Sequence, residues 1–139
     1  MSRRRPAIRA EDAGSAPVEF VLVGGLLTLV TLSVLQLGLV LHVRNTALDA
    51  ASEGARFAAL ADGGPERGRE RTADLLTTAL GPSYAQDVTA SYGDAAGQRT
   101  VVVSVRVPLP LIGMIGLPDG LEVTGRAALE TIAAPEPAG

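Results

Sequence analysis

The chain of 139 residues contains no cysteine, no tryptophan and a single histidine. Without cysteine, neither a disulfide framework nor a thiolate metal site can form, although an extracytoplasmic location is not excluded. The lone His42 leaves no Ser/His/Asp set to assemble, and the sequence holds no acidic metal cluster and no glycine-rich phosphate loop. We therefore predict that the protein is not an enzyme and that it binds no cofactor and no metal.

Lysine is also absent, so all 12 basic residues are arginine, and the formal net charge is −3. A chain of net negative charge lacks the basic surface that non-specific binding to nucleic acid requires. Nucleic acid is therefore not an expected partner.

Charge is missing altogether from residues 20–41, which form an apolar run of 22 residues. At about 1.5 Å per residue this run reaches roughly 33 Å as a helix, enough to cross a bilayer. We predict a transmembrane helix over residues 15–43. A cleavable secretory signal is the weaker alternative, because such signals have an apolar core of only about 7–15 residues and no Ala-x-Ala site follows directly.

Arginine placement predicts the orientation of this helix. Arg3, Arg4, Arg5 and Arg9 precede the apolar run, whereas only Arg44 follows closely behind it. Because positive charge stays in the cytoplasm, the N-terminus is expected there, with residues 44–132 forming an extracytoplasmic domain. The predicted location is the plasma (cytoplasmic) membrane, crossed once.

Glu19 lies at the mouth of the apolar run. A carboxylate costs about 2.5–3.5 kcal/mol at the centre of a membrane helix, and less near the interface. Glu19 is therefore either a functional charge or a side chain that reaches the lipid headgroups. His42, at the other edge of the run, fits an interfacial residue better than a ligand.

The order of a basic segment, Gly14, and then Glu19 and Phe20 at the head of a long apolar helix resembles the processing site of type IV prepilins. In particular it resembles the TadE-like minor pseudopilins of the tight-adherence (Tad/Flp) pilus. The resemblance implies that a membrane prepilin peptidase cleaves between Gly14 and Ser15 and removes residues 1–14 as a leader. It also implies, as partners, other Tad pilins and pseudopilins and the assembly platform, and incorporation into an extracellular pilus.

Cleavage would create an ammonium group at Ser15, close to the helix that carries Glu19. A subunit entering a filament would keep both charges in a poorly hydrated place, and pairing them between neighbours lowers that cost. Glu19 would then favour the correct register between subunits.

Residues 44–61 contain no proline and are rich in alanine, which predicts that the helix continues past the membrane. Residues 50–56 also resemble the alanine-rich stretch of TadE-like proteins. Small side chains line one broad face and allow close backbone approach, either to the protein's own sheet or to sister helices in a filament. The residues of this face are Ala47, Ala51, Gly54, Ala55 and Ala58.

Downstream, Pro65 and Gly81-Pro82 bound a predicted second helix over residues 65–80. Alternating apolar residues then predict three strands, with a hairpin loop at residues 93–97. The alternating sets are Val88, Ala90 and Tyr92; Val101, Val103, Val105 and Val107; and Leu121, Val123, Ala127 and Leu129. The predicted fold is α+β and pilin-like, a long N-terminal transmembrane helix extending into a small domain with a second helix and a three-stranded antiparallel sheet.

Residues 108–118 are apolar and punctuated by proline, but they are too few to span a membrane. They either fold back onto the core or form an exposed patch that meets a partner or the membrane surface. The tail, residues 133–139, is predicted to be disordered.

Two function classes follow from the sequence. The first is a minor pseudopilin, a structural or assembly subunit of a Tad-type pilus or related secretion filament. The second is an uncleaved single-pass membrane protein whose outer domain binds a ligand or scaffolds an envelope complex. The pairing of Gly14 with Glu19 favours the first.

Overall fold

The computed structural model describes residues 12–60, 63–109 and 120–130, with side chains from Gly14 onward. The helices are α1 (Asp12–Leu60) and α2 (Gly64–Ala79), and a short 3-10 turn covers Pro82–Tyr84. The strands are β1 (Val88–Ala95), β2 (Gln98–Val107) and β3 (Leu121–Ala128). The predicted α+β class is confirmed, with its long N-terminal helix, second helix and three-stranded antiparallel sheet.

Three of the sequence predictions fall wholly or partly outside the described residues. They concern the leader up to residue 11, most of the apolar segment at residues 108–118, and the tail at residues 133–139. These remain predictions.

The chain divides into two compact units, Met1–Leu37 and Gly38–Gly139. In the first unit the described residues form only the N-terminal part of α1, and its large apolar side chains are exposed, Phe20 by 80%. Leucine and alanine favour the helix, and its one internal proline, Pro17, lies near the start. We call this unit the apolar unit. None of its described side chains is buried.

The second unit, which we call the outer unit, holds the hydrophobic core. Its sheet has the order β1-β2-β3, so β2 is central and pairs antiparallel with both neighbours. The side chains on one face of β2 are completely buried, as the alternation predicts, because α2 packs against β1 and β2. These residues are Val101, Val103, Val105 and Val107.

The hairpin between β1 and β2 is tighter than the predicted loop at residues 93–97. The two strands pair as far as Ala95 and Gln98, which leaves only Ala96 and Gly97 to turn the chain. Both have positive φ, 51° and 81°, as a type I′ turn requires. The prediction missed this because the paired residues near the turn are polar or small and carry no apolar alternation.

Tyr92 lies on the expected face of β1, opposite Val101, yet its side chain is about half exposed. The Arg99 guanidinium lies 5.1 Å from the centre of its ring, so a cation–π contact covers part of the side chain instead of the core.

Candidate functional site

The predicted processing residues all lie in the first turns of α1. Ser15, Glu19 and Phe20 are exposed, and a Cβ atom added at Gly14 would meet no atom within 4 Å. Gly14 and Ser15 lie at the start of the part of α1 that the structure describes, which begins at Asp12.

Ser15 and Glu19 are four residues apart, so they lie on the same face of α1, one turn from each other. Among the described residues, no arginine or histidine nitrogen lies within 4 Å of the Glu19 carboxylate. The segment thus places an acidic side chain one turn away from the position at which cleavage would create an ammonium group.

The predicted small-residue face of α1 is buried within the outer unit itself. Four of its alanines have no exposed surface, and Gly54 is buried between them. The alanines are Ala47, Ala51, Ala55 and Ala58. Of the two contacts that the sequence left open for this face, the structure displays packing against the protein's own second helix and sheet.

One close contact on this face is the crossing of α1 and α2. A Cβ atom at Gly54 would lie 1.9 Å from the Thr72 Oγ1 and 2.6 Å from the Gly68 carbonyl oxygen. A Cβ atom at Gly68 would lie 2.9 Å from the Gly54 carbonyl oxygen. Only glycine on both helices permits this approach, because real Cβ atoms do not come so near to backbone atoms.

The sheet approaches α1 just as closely at Gly125 of β3. A Cβ atom there would lie 2.4 Å from the Ala51 carbonyl carbon and 2.4 Å from the Ser52 nitrogen. The α1 backbone therefore contacts α2 at one place and β3 at another, and the alanines fill the space between.

Sequence reasoning missed the residues by which α2 contacts α1. The apolar spacing of α2 points to Ala73, Leu76 and Leu80, and all three do pack in or against the core. The buried positions of α2 also include Gly68 and Thr72, which carry no apolar signal because one is a glycine within the charged stretch at residues 66–71 and the other is polar. The signal that could have found them is the spacing of Gly68 and Thr72, which matches that of Gly54 and Ala58 on α1.

The Thr72 hydroxyl is completely buried and lies between the two helices. Its oxygen is 2.8 Å from the Gly68 carbonyl oxygen and 3.2 Å from the Ala50 carbonyl oxygen, and it donates to these acceptors. The second contact joins the two helices directly.

Ion pairs lie on the outside of the outer unit. The Arg69 guanidinium donates to the Glu66 carboxylate over 2.9 Å, and this hydrogen bond lowers the pKa of Glu66. On the open face of the sheet, guanidinium nitrogens of Arg106 lie 3.1 Å from a carboxylate oxygen of Glu122 and 3.9 Å from a carboxylate oxygen of Asp87. Over residues 12–60, 63–109 and 120–130, no group of three acidic or histidine side chains could hold a metal ion.

One described helix is long and apolar enough to cross a membrane, and it is α1 from Gly14 onward. A family model described as TadE-like protein matches residues 14–56. The match begins at the predicted cleavage residue, Gly14, and includes every predicted packing residue except Ala58. No curated protein and no solved structure matches the chain.

Proposed function

We propose that the chain is a minor pseudopilin of a Tad-type pilus or a related secretion filament, because a family model described as TadE-like protein matches residues 14–56. In this role a prepilin peptidase removes residues 1–14, and the mature chain begins at Ser15. The observation that carries the proposal is the arrangement at the start of α1, where Gly14, Ser15 and Glu19 lie exposed before a long apolar helix that the chain itself does not cover.

The exposure of the apolar unit supports membrane insertion followed by helix packing in a filament. The apolar run is about six helical turns long, which suits a single crossing of one bilayer. The arginines before it favour a cytoplasmic N-terminus, with the outer unit on the other side. Its partners would be the peptidase, other Tad pilins and pseudopilins, and the assembly platform.

The role of Glu19 follows from the cost of isolated charge. A new ammonium group at Ser15 would be poorly solvated when the helix enters a bundle of apolar helices, and a carboxylate from a neighbouring subunit would offset that cost. Since one helical turn separates Ser15 from Glu19 in each chain, such pairing between chains would specify an axial shift between neighbours.

The decisive experiment is the mass of the mature chain. When the full chain is expressed in membranes with its cognate prepilin peptidase, we expect the N-terminus at Ser15, and Gly14→Leu should block cleavage. Gly24→Leu is the matched control, because a Cβ atom also meets no neighbour there but the position is ten residues past the cleavage site. Recovery of only full-length protein from the native host would instead favour an uncleaved single-pass membrane protein.

A second measurement isolates the carboxylate. Glu19→Ala should leave insertion and cleavage intact, because the peptidase acts at Gly14 and removal of a charge makes insertion easier. Incorporation into filaments should fall sharply, and Glu19→Asp should be intermediate because its shorter side chain reaches the ammonium less well. Wild-type incorporation of Glu19→Ala would mean that the carboxylate only reaches the headgroups.

A further inference from the structure

Helices α1 and α2 run antiparallel in the outer unit and leave a groove along one side. Ala50 contacts Thr72 through its carbonyl, and Ala58 lies against Gly68, so the residue numbers rise on α1 as they fall on α2. The two recesses along this pair are lined from α1 by Thr46, Asp49, Ala50, Glu53 and Phe57. Steps of three and four place these residues on one face of the helix.

The recess nearer the start of the outer unit is apolar inside and acidic at its rim. Its volume is about 240 Å³, and Ala50, Leu75 and Ala79 form its apolar lining. The rim carries the exposed carboxylates Asp49 and Glu53. An engineered protein cavity of about 150 Å³ holds benzene, so this recess has room for one large apolar side chain.

A side chain of matching chemistry lies at the other end of the same helix. Leu60 is 71% exposed, the highest value for a large apolar side chain among the described residues of the outer unit. Arg56 is exposed one turn before it, on the same face. The chain therefore presents an apolar knob with an adjacent positive charge, and a recess with an apolar floor and a negative rim.

We propose that Leu60 of one copy inserts into the recess lined by Ala50, Leu75 and Ala79 of a second copy, with Arg56 facing that copy's Asp49. The inference deepens the proposed function, since it assigns a subunit contact to the outer unit. Charge complementarity selects the occupant, because the rim is acidic and the group beside the knob is basic.

The contact is heterologous, since the knob and the recess are different patches of the same surface. A heterologous contact that does not close into a ring propagates as an open filament. It also requires an axial offset, because Leu60 of one copy must lie level with Ala50 of the next. Ten residues of helix correspond to an offset of roughly 15 Å between parallel copies.

One other arrangement satisfies both patches. In a reciprocal dimer, each of two copies would insert its Leu60 into the recess of the other, and the assembly would stop at two copies.

Cysteine cross-linking tests the contact directly, because the chain has no cysteine of its own. A full-length chain carrying both Leu60→Cys and Ala79→Cys is purified in detergent and is then oxidised. Within one chain the two sites lie near opposite ends of the groove, roughly 20 Å apart by helix rise, which is too far for a disulfide. We expect a ladder of dimers, trimers and higher oligomers that reducing agent collapses.

The control pair is Leu60→Cys with Thr89→Cys, an exposed position on the open face of the sheet. A ladder no stronger than that of the control would overturn the proposal, and a product that stops at the dimer would show a reciprocal contact and overturn it as well. If Ala79→Cys impairs folding, as judged by circular dichroism, Thr46→Cys reports on the same recess.

The proposed pairing of Arg56 with Asp49 is tested by exchanging these two charges in the chain that carries Leu60→Cys and Ala79→Cys. Asp49→Arg should weaken the apparent self-association about two- to fivefold, the size of one exposed ion pair, and Arg56→Asp in the same chain should restore it. If the chain with both exchanges self-associates as weakly as the chain with Asp49→Arg alone, then Arg56 and Asp49 do not pair across the contact. The mass of the mature chain measures cleavage independently of the cross-linking. A ladder without cleavage would overturn only the proposed processing. Cleavage without a ladder would overturn only this contact.

Discussion

Two parts of one helix use glycine for different reasons. In the outer unit, Gly54 is enclosed so tightly that a single added carbon would lie within 2 Å of a neighbouring oxygen. In the apolar unit, an added carbon at Gly24 or Gly25 meets nothing within 4 Å. Glycine costs a helix roughly 1 kcal/mol relative to alanine. The chain's own packing accounts for that cost at Gly54, whereas no described contact accounts for it at Gly24 and Gly25.

The same contrast holds for the large side chains. Leu76 of α2 is completely buried, whereas Leu32 of the apolar run is 56% exposed. The outer unit therefore obtains its stability by burying apolar surface within the chain, whereas the large apolar side chains described in the apolar unit stay exposed.

The largest expected effect is the loss of a core leucine. Leu76→Ala should lower the free energy of unfolding of the outer unit by about 2–5 kcal/mol, the usual cost of a cavity at a buried leucine. Leu32→Ala should leave it unchanged. Hydrogen exchange of the β2 amides in the detergent-solubilised full chain measures this quantity, and equal protection in both variants would contradict the contrast.

Next in size is the glycine pair. Gly54→Ala should destabilise the outer unit by about 1–3 kcal/mol, because the new methyl group forces α1 and α2 apart. Gly24→Ala should have no such effect and should favour the helix by up to about 1 kcal/mol. Thermal unfolding followed by circular dichroism compares the two, and a Gly54→Ala chain as stable as wild type would show that the helices can separate at little cost.

A smaller effect is expected at Thr72. Thr72→Val keeps the shape but removes the hydroxyl that donates between the helices, so it should cost about 0.5–1.5 kcal/mol. Thr28 also donates to a carbonyl one turn back, that of Gly24, but it lies in the exposed apolar run. Thr28→Val should therefore leave the outer unit's urea midpoint unchanged, and a shift equal to that of Thr72→Val would mean that the interhelical contact contributes nothing.

The smallest effect concerns the exposed pair of Glu66 and Arg69. Because this hydrogen bond lowers the pKa of Glu66 in the folded chain, it stabilises the fold above the ordinary pKa of about 4.5 and is lost as the pH falls through the folded value. Glu66→Gln should slightly lower the melting temperature at neutral pH and have no effect in acid. A Glu66→Gln effect that grows as the pH falls would contradict the assigned cause.

The order of helices and strands was predictable because each follows from a local pattern. The uncharged stretch at residues 20–41 indicates the first helix, and the alternation from Val101 to Val107 indicates the central strand. Tyr92 shows the limit of such patterns, since alternation identified its face of β1 but not its exposure. The tight turn at Ala96 and Gly97 was missed because its flanking residues carry no apolar signal.

The sequence by itself determined the apolar helix, because an uncharged run along a single chain is sufficient to define it, and the processing segment remains a prediction from spacing. Only the tertiary structure decided what the small side chains contact. Alanines at i+4 steps predict that another backbone approaches this face of the helix closely, but the periodicity does not identify which helix or strand it is. The partner is specified by residues far along the chain, Gly68, Thr72 and Gly125, which become its neighbours only when the chain folds back on itself.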